Sequence, residues 1–278
     1  MTATARRPGG STQLLLRMTT IVVLLFLIAP IVVVFPLSFS SGELLTLPTP
    51  GFSWRWYEDF FTSSKWLLAT RNSFVVGIAT AIIATLLGTL GALGIFLGRF
   101  RGKALLVAML STPMVVPVVV TAVAVYFGFS FVGLNNTLAG LILAHTVLSV
   151  PYVLITVLAT LQTFDRNLLK AAATCGAPPH TAFRRVVLPL IAPGVATGAL
   201  FAFATSFDEL VVAIFVASPS QFTLPRQMFA GLREFLSPTI AAAAVLLIVC
   251  SVLLLVANEM IRARARAPIV AADPAEPN

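Results

Sequence analysis

Six apolar stretches, at about 21–39, 73–97, 104–131, 138–161, 190–216 and 239–257, contain no Lys or Arg. Each has the roughly 20 residues that a helix needs to cross about 30 Å of hydrocarbon. A bilayer core offers the backbone no water, so a chain crosses it only as helices or as a closed barrel. The alternating in–out pattern of barrel strands is absent from these stretches. The expected fold class is therefore all-α, a polytopic membrane protein with six transmembrane helices. Composition agrees, because 58% hydrophobic and 10% charged residues leave a 278-residue chain too few charges to cover a soluble globule.

A net charge of +8 would suit nucleic acid if the positive residues gathered on one surface. They follow the loops instead. With the N-terminus in the cytoplasm, the inside segments hold thirteen: Arg6, Arg7 and Arg17; Arg99, Arg101 and Lys103; Arg166, Lys170, Arg184 and Arg185; Arg262, Arg264 and Arg266. The outside segments hold five, Arg55, Lys65, Arg71, Arg226 and Arg233. The positive-inside rule then places both termini in the cytoplasm, and the basic groups face anionic lipid headgroups rather than nucleic acid. The first stretch has the basic flank and apolar core of a signal peptide but is too long for one, and it reads as a retained anchor. After it, residues 40–69 carry Trp54, Trp56 and Tyr57, an aromatic set suited to the outer membrane boundary. Cys175 and Cys250 show no partner pattern, so neither a disulfide nor a metal site is implied.

Small residues recur at helical spacing, Ala84 and Gly88, Gly94 and Gly98, Gly194 and Gly198, which lets spans approach closely without a hydrophobic driving force. Pro113, Pro117, Pro151 and Pro193 remove backbone hydrogen bonds inside apolar helices, giving kinks that either gate or simply pack. His145 reads as a hydrogen-bonded packing residue, with contact to a transport pathway as the alternative. Asp208 and Glu209 are the only acids in any span, and each costs about 2.5–3.5 kcal/mol at mid-bilayer. On a continuous helix they lie about 28 Å from Pro189, in the outer half of the membrane, and point about 100° apart. One reading makes them carboxylates of a cation pathway, with Phe201, Phe203 and Phe207 offering ring faces. The other makes them structural acids, protonated or paired with a partner.

No H-E-x-x-H, G-x-S-x-G or paired metal ligands occur, and GRFRGK at 98–103 lacks the spacing and the following Ser/Thr of a phosphate loop. No catalytic residue, no metal and no cofactor bound by this chain are expected. The stretch KAAATCGAPPHTAFRRVVLP at 170–189 is, by contrast, a polar and basic loop between two spans. Asp165 is a good N-cap, 166–175 favour a helix, and Gly176 suits the left-handed residue that ends it. Pro178 and Pro179 break the chain and start a second short helix through Phe183 and Val187. Ala171, Ala172, Ala173 and Thr174 would give the first helix a smooth knob that fits a groove. So short a helix is marginal alone and needs a partner or a surface.

Ala171-Ala172, then Gly176, then an amphipathic stretch ending in Val187-Leu188-Pro189, resembles the EAA loop of permease subunits of binding-protein-dependent ABC importers. The family's opening acid is Lys170 here. Asn72-Ser73 and the run from Lys170 onward extend the resemblance over 66–257, and Ser206-Phe207-Asp208-Glu209-Leu210-Val211-Val212 with Leu224-Pro225 and Ser237-Pro238 is most similar to the spermidine/putrescine branch, its C-type permease subunit. The resemblance implies the type I importer permease (MetI-like) fold. It divides the chain into 1–65 (cytoplasmic N-terminus, first span, outer segment), a core at 66–257 with a coupling loop at 162–189, and a cytoplasmic tail at 258–278. It implies a multi-pass protein of the bacterial inner membrane that pairs with a second homologous permease, a cytoplasmic ABC ATPase dimer that holds the ATP and Mg, and an extracytoplasmic solute-binding protein. The coupling residues it implies are Lys170, Ala171, Ala172, Ala173, Gly176, Arg184 and Pro189, and the pathway residues Phe207, Asp208 and Glu209. A polyamine is the expected solute. Other members move iron, thiamine or organophosphonates, and a secondary transporter or channel is the alternative that leaves the loop unexplained.

Overall fold

The computed structural model describes residues 10–234 and 237–270. Arg6, Arg7 and the end of the expected tail, 271–278, lie outside them, as do the side chains of Arg262, Arg264 and Arg266. Every regular element among the described residues is helical: α1 (Gly10–Ser38), α2 (Arg55–Thr62), α3 (Ser64–Leu97), α4 (Lys103–Val115), α5 (Val118–Val132), α6 (Leu138–Gln162), α7 (Asn167–Thr174), α8 (Pro179–Ala182), α9 (Leu188–Phe207), α10 (Val211–Val216), α11 (Leu224–Glu234) and α12 (Thr239–Val270). Five are long and apolar enough to cross a membrane, with the α8–α9 rod counted as one helix.

The third expected span is broken rather than continuous. α4 and α5 meet at 100°, because Val116 precedes a proline and is driven to extended backbone (φ −70°, ψ 134°), while Pro117 has no N–H to continue the ladder. The fifth span is also corrected at both ends. It starts early: α8 runs through a π-turn at Phe183–Val187 straight into α9, so the second helix of the loop is the foot of a span and not a separate element. Pro189 has no N–H for the Arg185 carbonyl and crowds it; the turn widens, and Leu188 N–H bonds to the Phe183 carbonyl instead. It ends early too, at Phe207, before α10 restarts at Val211.

The described residues group into two compact units, one from the chain up to Thr62 with Gly231–Leu247, the other from Ser63–Ala230 with the chain from Ile248. In the first, the chain after α1 doubles back through a bridge between Ser40 and Phe52. Trp56 Nε1 donates to the Ser40 carbonyl (2.7 Å), and the Tyr57 hydroxyl pairs with Ser38 Oγ (2.9 Å). Phe39, Phe52, Trp54 and Tyr57 form one ring cluster with centroids 4.8–5.9 Å apart.

In the second unit α3, α6 and α9 pack most extensively, around Val153, Leu154, Val157, Leu161 and Ile191. Glycines make this approach possible. A Cβ on Gly88 would stand 2.6 Å from Val153 Cβ and 3.0 Å from the Leu154 nitrogen, and one on Gly198 would stand 3.2 Å from Val153 Cα. Val153 of α6 is thus held between glycines of α3 and α9, and Gly194 lies against Thr160. The Gly94–Gly98 pair does not pack in this way: Gly94 faces open space, and Gly98 meets only the Gly94 carbonyl and Phe100.

Candidate functional site

Two regions at opposite ends of α9 carry the residues of interest. At the first, Asp165 Oδ1 accepts the Asn167 N–H (2.9 Å) and caps α7. At its other end Gly176 takes φ +77°, the Ala177 N–H reaches back to the Ala172 carbonyl (3.0 Å) and the Gly176 N–H to the Ala173 carbonyl (2.9 Å). These two bonds are the Schellman closure that a left-handed residue permits. Gly176 ends the helix as expected, while α7 is shorter than 166–175: the residue before it is Arg166, whose side chain makes no cap, and Asp165 reaches the Asn167 N–H from one residue further out. Gly176→Val, where no atom stands in the way but the backbone is left-handed, should cost about 1–2 kcal/mol and show as a lowered unfolding midpoint of the purified permease.

Ala171, Ala172, Ala173 and Thr174 do not share one face. Ala172 is half-buried beside Leu169, which packs on the core cluster, while Lys170, Ala171, Ala173 and Thr174 are exposed. Lys170 Nζ donates to Asn167 Oδ1 (3.3 Å). Arg184 and Pro189 are exposed on the π-turn and the start of α9. A residue not singled out from the sequence ties the start of the loop to α3: the Arg166 guanidinium donates to the Phe96 carbonyl and stands 4.3 Å over the Phe96 ring. Phe96 lies in the last turn of α3, where carbonyls lack intrahelical donors and the dipole is negative. In the sequence, Arg166 was one more positive charge in a loop.

At the other end, residues 208–210 are not helical, so the helical 100° separation of the two acids does not apply. Their roles divide. Glu209 Oε1 accepts the Val212 N–H (2.9 Å), closing the open start of α10. Asp208 is exposed and has no ion-pair partner among the described residues. Phe207 is 3% exposed, stacked on Phe203 (centroids 5.3 Å, 19°) and 5.2 Å from Phe74. Phe203 fits because Gly77 has no Cβ, which would lie 2.9 Å from its ring. Phe201 stays apart from this group and is 40% exposed.

Polar groups pin this end. His145, fully buried, pairs through Nδ1 with Ser206 Oγ (2.8 Å), as its packing reading requires. Asn72 Nδ2 donates to the carbonyls of Ser220 (3.1 Å) and Phe222 (3.0 Å), and Ser73 Oγ accepts the Leu224 N–H (2.7 Å). Asn72-Ser73 thereby fastens the loop after α10 to the start of α3. Its signal in the sequence was an adjacent polar pair at the mouth of an apolar run. No group of three His, Cys, Asp or Glu among the described residues could hold a metal ion.

Residues 84–267 match the family described as binding-protein-dependent transport system inner membrane component. The spermidine/putrescine transport system permease protein PotC of Haemophilus influenzae is 35% identical over 240 residues, covering 86% of this chain and 93% of that protein. The putrescine transport system permease protein PotI of Escherichia coli K12 is 34% identical over 232 residues, covering 80% and 82%. A solved bacterial ABC transporter involved in alginate import superposes with a TM-score of 0.70 at 19% identity, over 90% of this chain and 94% of that one, a likeness of fold.

Proposed function

This chain belongs to the family of binding-protein-dependent transport system inner membrane components, and from that premise we propose that it carries a polyamine of the spermidine/putrescine class across the membrane. It is a permease subunit of an ABC importer. It catalyses no bond chemistry itself: a separate cytoplasmic ATPase dimer binds ATP and Mg and hydrolyses the nucleotide, a second homologous permease completes the pathway, and an extracytoplasmic binding protein delivers the solute. Both termini and the 162–189 loop lie in the cytoplasm of a bacterial cell, on the side the basic loops mark. The curated names of its relatives support the polyamine, and so does a carboxylate, Asp208, with no cation of its own among the described residues.

The observation that carries the coupling reading is the way α7 is held. One side of it is tied by Arg166 to the end of α3. On the other, the chain turns at Gly176 and enters a continuous rod, Pro179–Phe207, of 29 residues, about 43 Å at 1.5 Å per residue, whose far end is the Asp208 hinge. A push on α7 therefore reaches α3 through Arg166 and, across the short turn at 175–178, the rod that ends at the acids. Its outward face is made of Lys170, Ala171, Ala173 and Thr174, the last three short enough to enter a cleft closely. Ala171→Trp leaves the core untouched, because Ala171 is exposed, and should fill that cleft. Co-purification of the ATPase and polyamine uptake should each fall by about tenfold or more, the equivalent of about 1.4 kcal/mol of docking. Unchanged uptake and capture in this variant would contradict the coupling role.

A further inference from the structure

α9 and α12 enclose a cleft lined by Phe201, Ala204 and Asp208 on one helix and by Ser251, Leu254 and Asn258 on the other. Residues three and four apart share a face of a helix, so Phe201 and Ala204 form one stripe of α9, with Asp208 just past its end, and Ser251, Leu254 and Asn258 form one stripe of α12. The polar atoms stand at the ends. With the two spans taken as antiparallel neighbours lining one cleft, Asp208 falls toward Ser251 and Phe201 toward Asn258. Seven residues of helix separate the two levels, about 10 Å.

Each end lacks what it needs. Asp208 is exposed without an ion pair among the described residues, and the carbonyl end of α9 beside it adds to the negative potential. Asn258, the first residue of the expected tail, lies within α12 instead; it is 9% exposed, and its Oδ1 has no hydrogen-bond partner among the described residues. An amide oxygen buried in this way lacks the donor that ordinarily satisfies it. Between the ends the lining is apolar. Two acceptors without donors, about 10 Å apart along an apolar trough, match a molecule with an ammonium group at each end of a methylene chain, since each ammonium brings three N–H donors and no acceptor.

We propose that this cleft is a two-point binding site for a linear polyamine, one terminal ammonium on Asp208 and the other on Asn258, with the methylenes along Leu254 and the inner ammonium of a triamine against the Phe201 ring face. The proposal deepens the polyamine reading and rests on it. It also separates the two acids: Asp208 binds, while Glu209 holds α10.

The test is direct binding of radiolabelled spermidine, and of an analogue with one terminal ammonium replaced by methyl, to the complete permease–ATPase complex in lipid nanodiscs. The wild type should favour spermidine by about tenfold or more. Asn258→Leu should erase that preference by weakening spermidine alone, and Asp208→Asn should weaken both ligands. Asn258→Asp, which offers the second ammonium a charge, should tighten spermidine and leave the analogue unchanged, an effect that misfolding cannot produce. Wild-type ratios in both Asn258 variants would overturn the cleft and leave the polyamine reading standing. A wild-type complex that neither binds nor accumulates spermidine would overturn both.

Discussion

Gly88→Val is expected to abolish accumulation of folded permease, whereas Gly94→Val, six residues along the same helix, is expected to be tolerated. The difference lies in what each new side chain would meet. At Gly88 a Cβ alone would be 2.6 Å from Val153 Cβ and 3.0 Å from the Leu154 backbone nitrogen, and backbone cannot rotate away. Val153 is pressed from its other side by α9 at Gly198, so α6 cannot retreat from α3 without moving α9 as well. Overpacking of this kind costs about 1–3 kcal/mol where neighbours can adjust, and more in a contact fixed on both sides. Within lipid no hydrophobic force draws the helices back together, because the tails are as apolar as the side chains, and close packing is itself the driving force. At Gly94 nothing stands within 4 Å, and the change should stay within about 0.5 kcal/mol. Size-exclusion profiles of fluorescently tagged variants check both: loss of the monodisperse peak for Gly88→Val, and a wild-type peak for Gly94→Val.

Asn72→Leu is expected to leave the helices assembled and to remove transport. Asn72 is 3% exposed and donates to two carbonyls, those of Ser220 and Phe222. Leucine fills the same volume but removes both hydrogen bonds, at about 0.5–1.5 kcal/mol each, with Ser220 exposed and Phe222 half-buried. The strain falls on the loop that follows α10, and α10 is the element that Glu209 caps. The loop should loosen and the hinge at 208–210 lose its fixed geometry, while the core cluster of α3, α6 and α9, which does not include Asn72, persists. Uptake per folded copy should drop by more than about tenfold. Ser73→Ala frees only the Leu224 N–H and should have a smaller effect in the same direction. Wild-type uptake by Asn72→Leu would show that this anchor has no part in the pathway.

Both predictions concern features only partly legible in the sequence. The spans were readable because an apolar run of the right length has one stable form in a bilayer. The ends of α7 were readable because Asp165 and Gly176 satisfy local needs, an open N–H and a left-handed turn, that do not depend on the rest of the fold. The breaks were not. An apolar run has the same composition whether its helix is straight or bent by 100° at Val116-Pro117. At 208–210 no proline or glycine announces the interruption; the sign was Glu209 itself, an acid placed to cap a helix that a reading of one continuous span concealed. Arg166 and Asn72 act on partners 70 and at least 148 residues away, and no local pattern encodes such pairings. The different settings of Asp208 and Glu209 became visible only once α9 was seen to end before them, at Phe207.

The central claim is that α7 is the contact through which a separate nucleotide-hydrolysing subunit moves this bundle. Single cysteines at Ala171 and Thr174, with the exposed native Cys175 replaced by Ser, can be crosslinked in membranes that hold the whole transporter. Capture of the ATPase subunit from both positions, with a yield that changes when ATP is added, is the predicted result. No ATPase captured from either position, together with solute accumulation by this chain in its absence, would contradict the account.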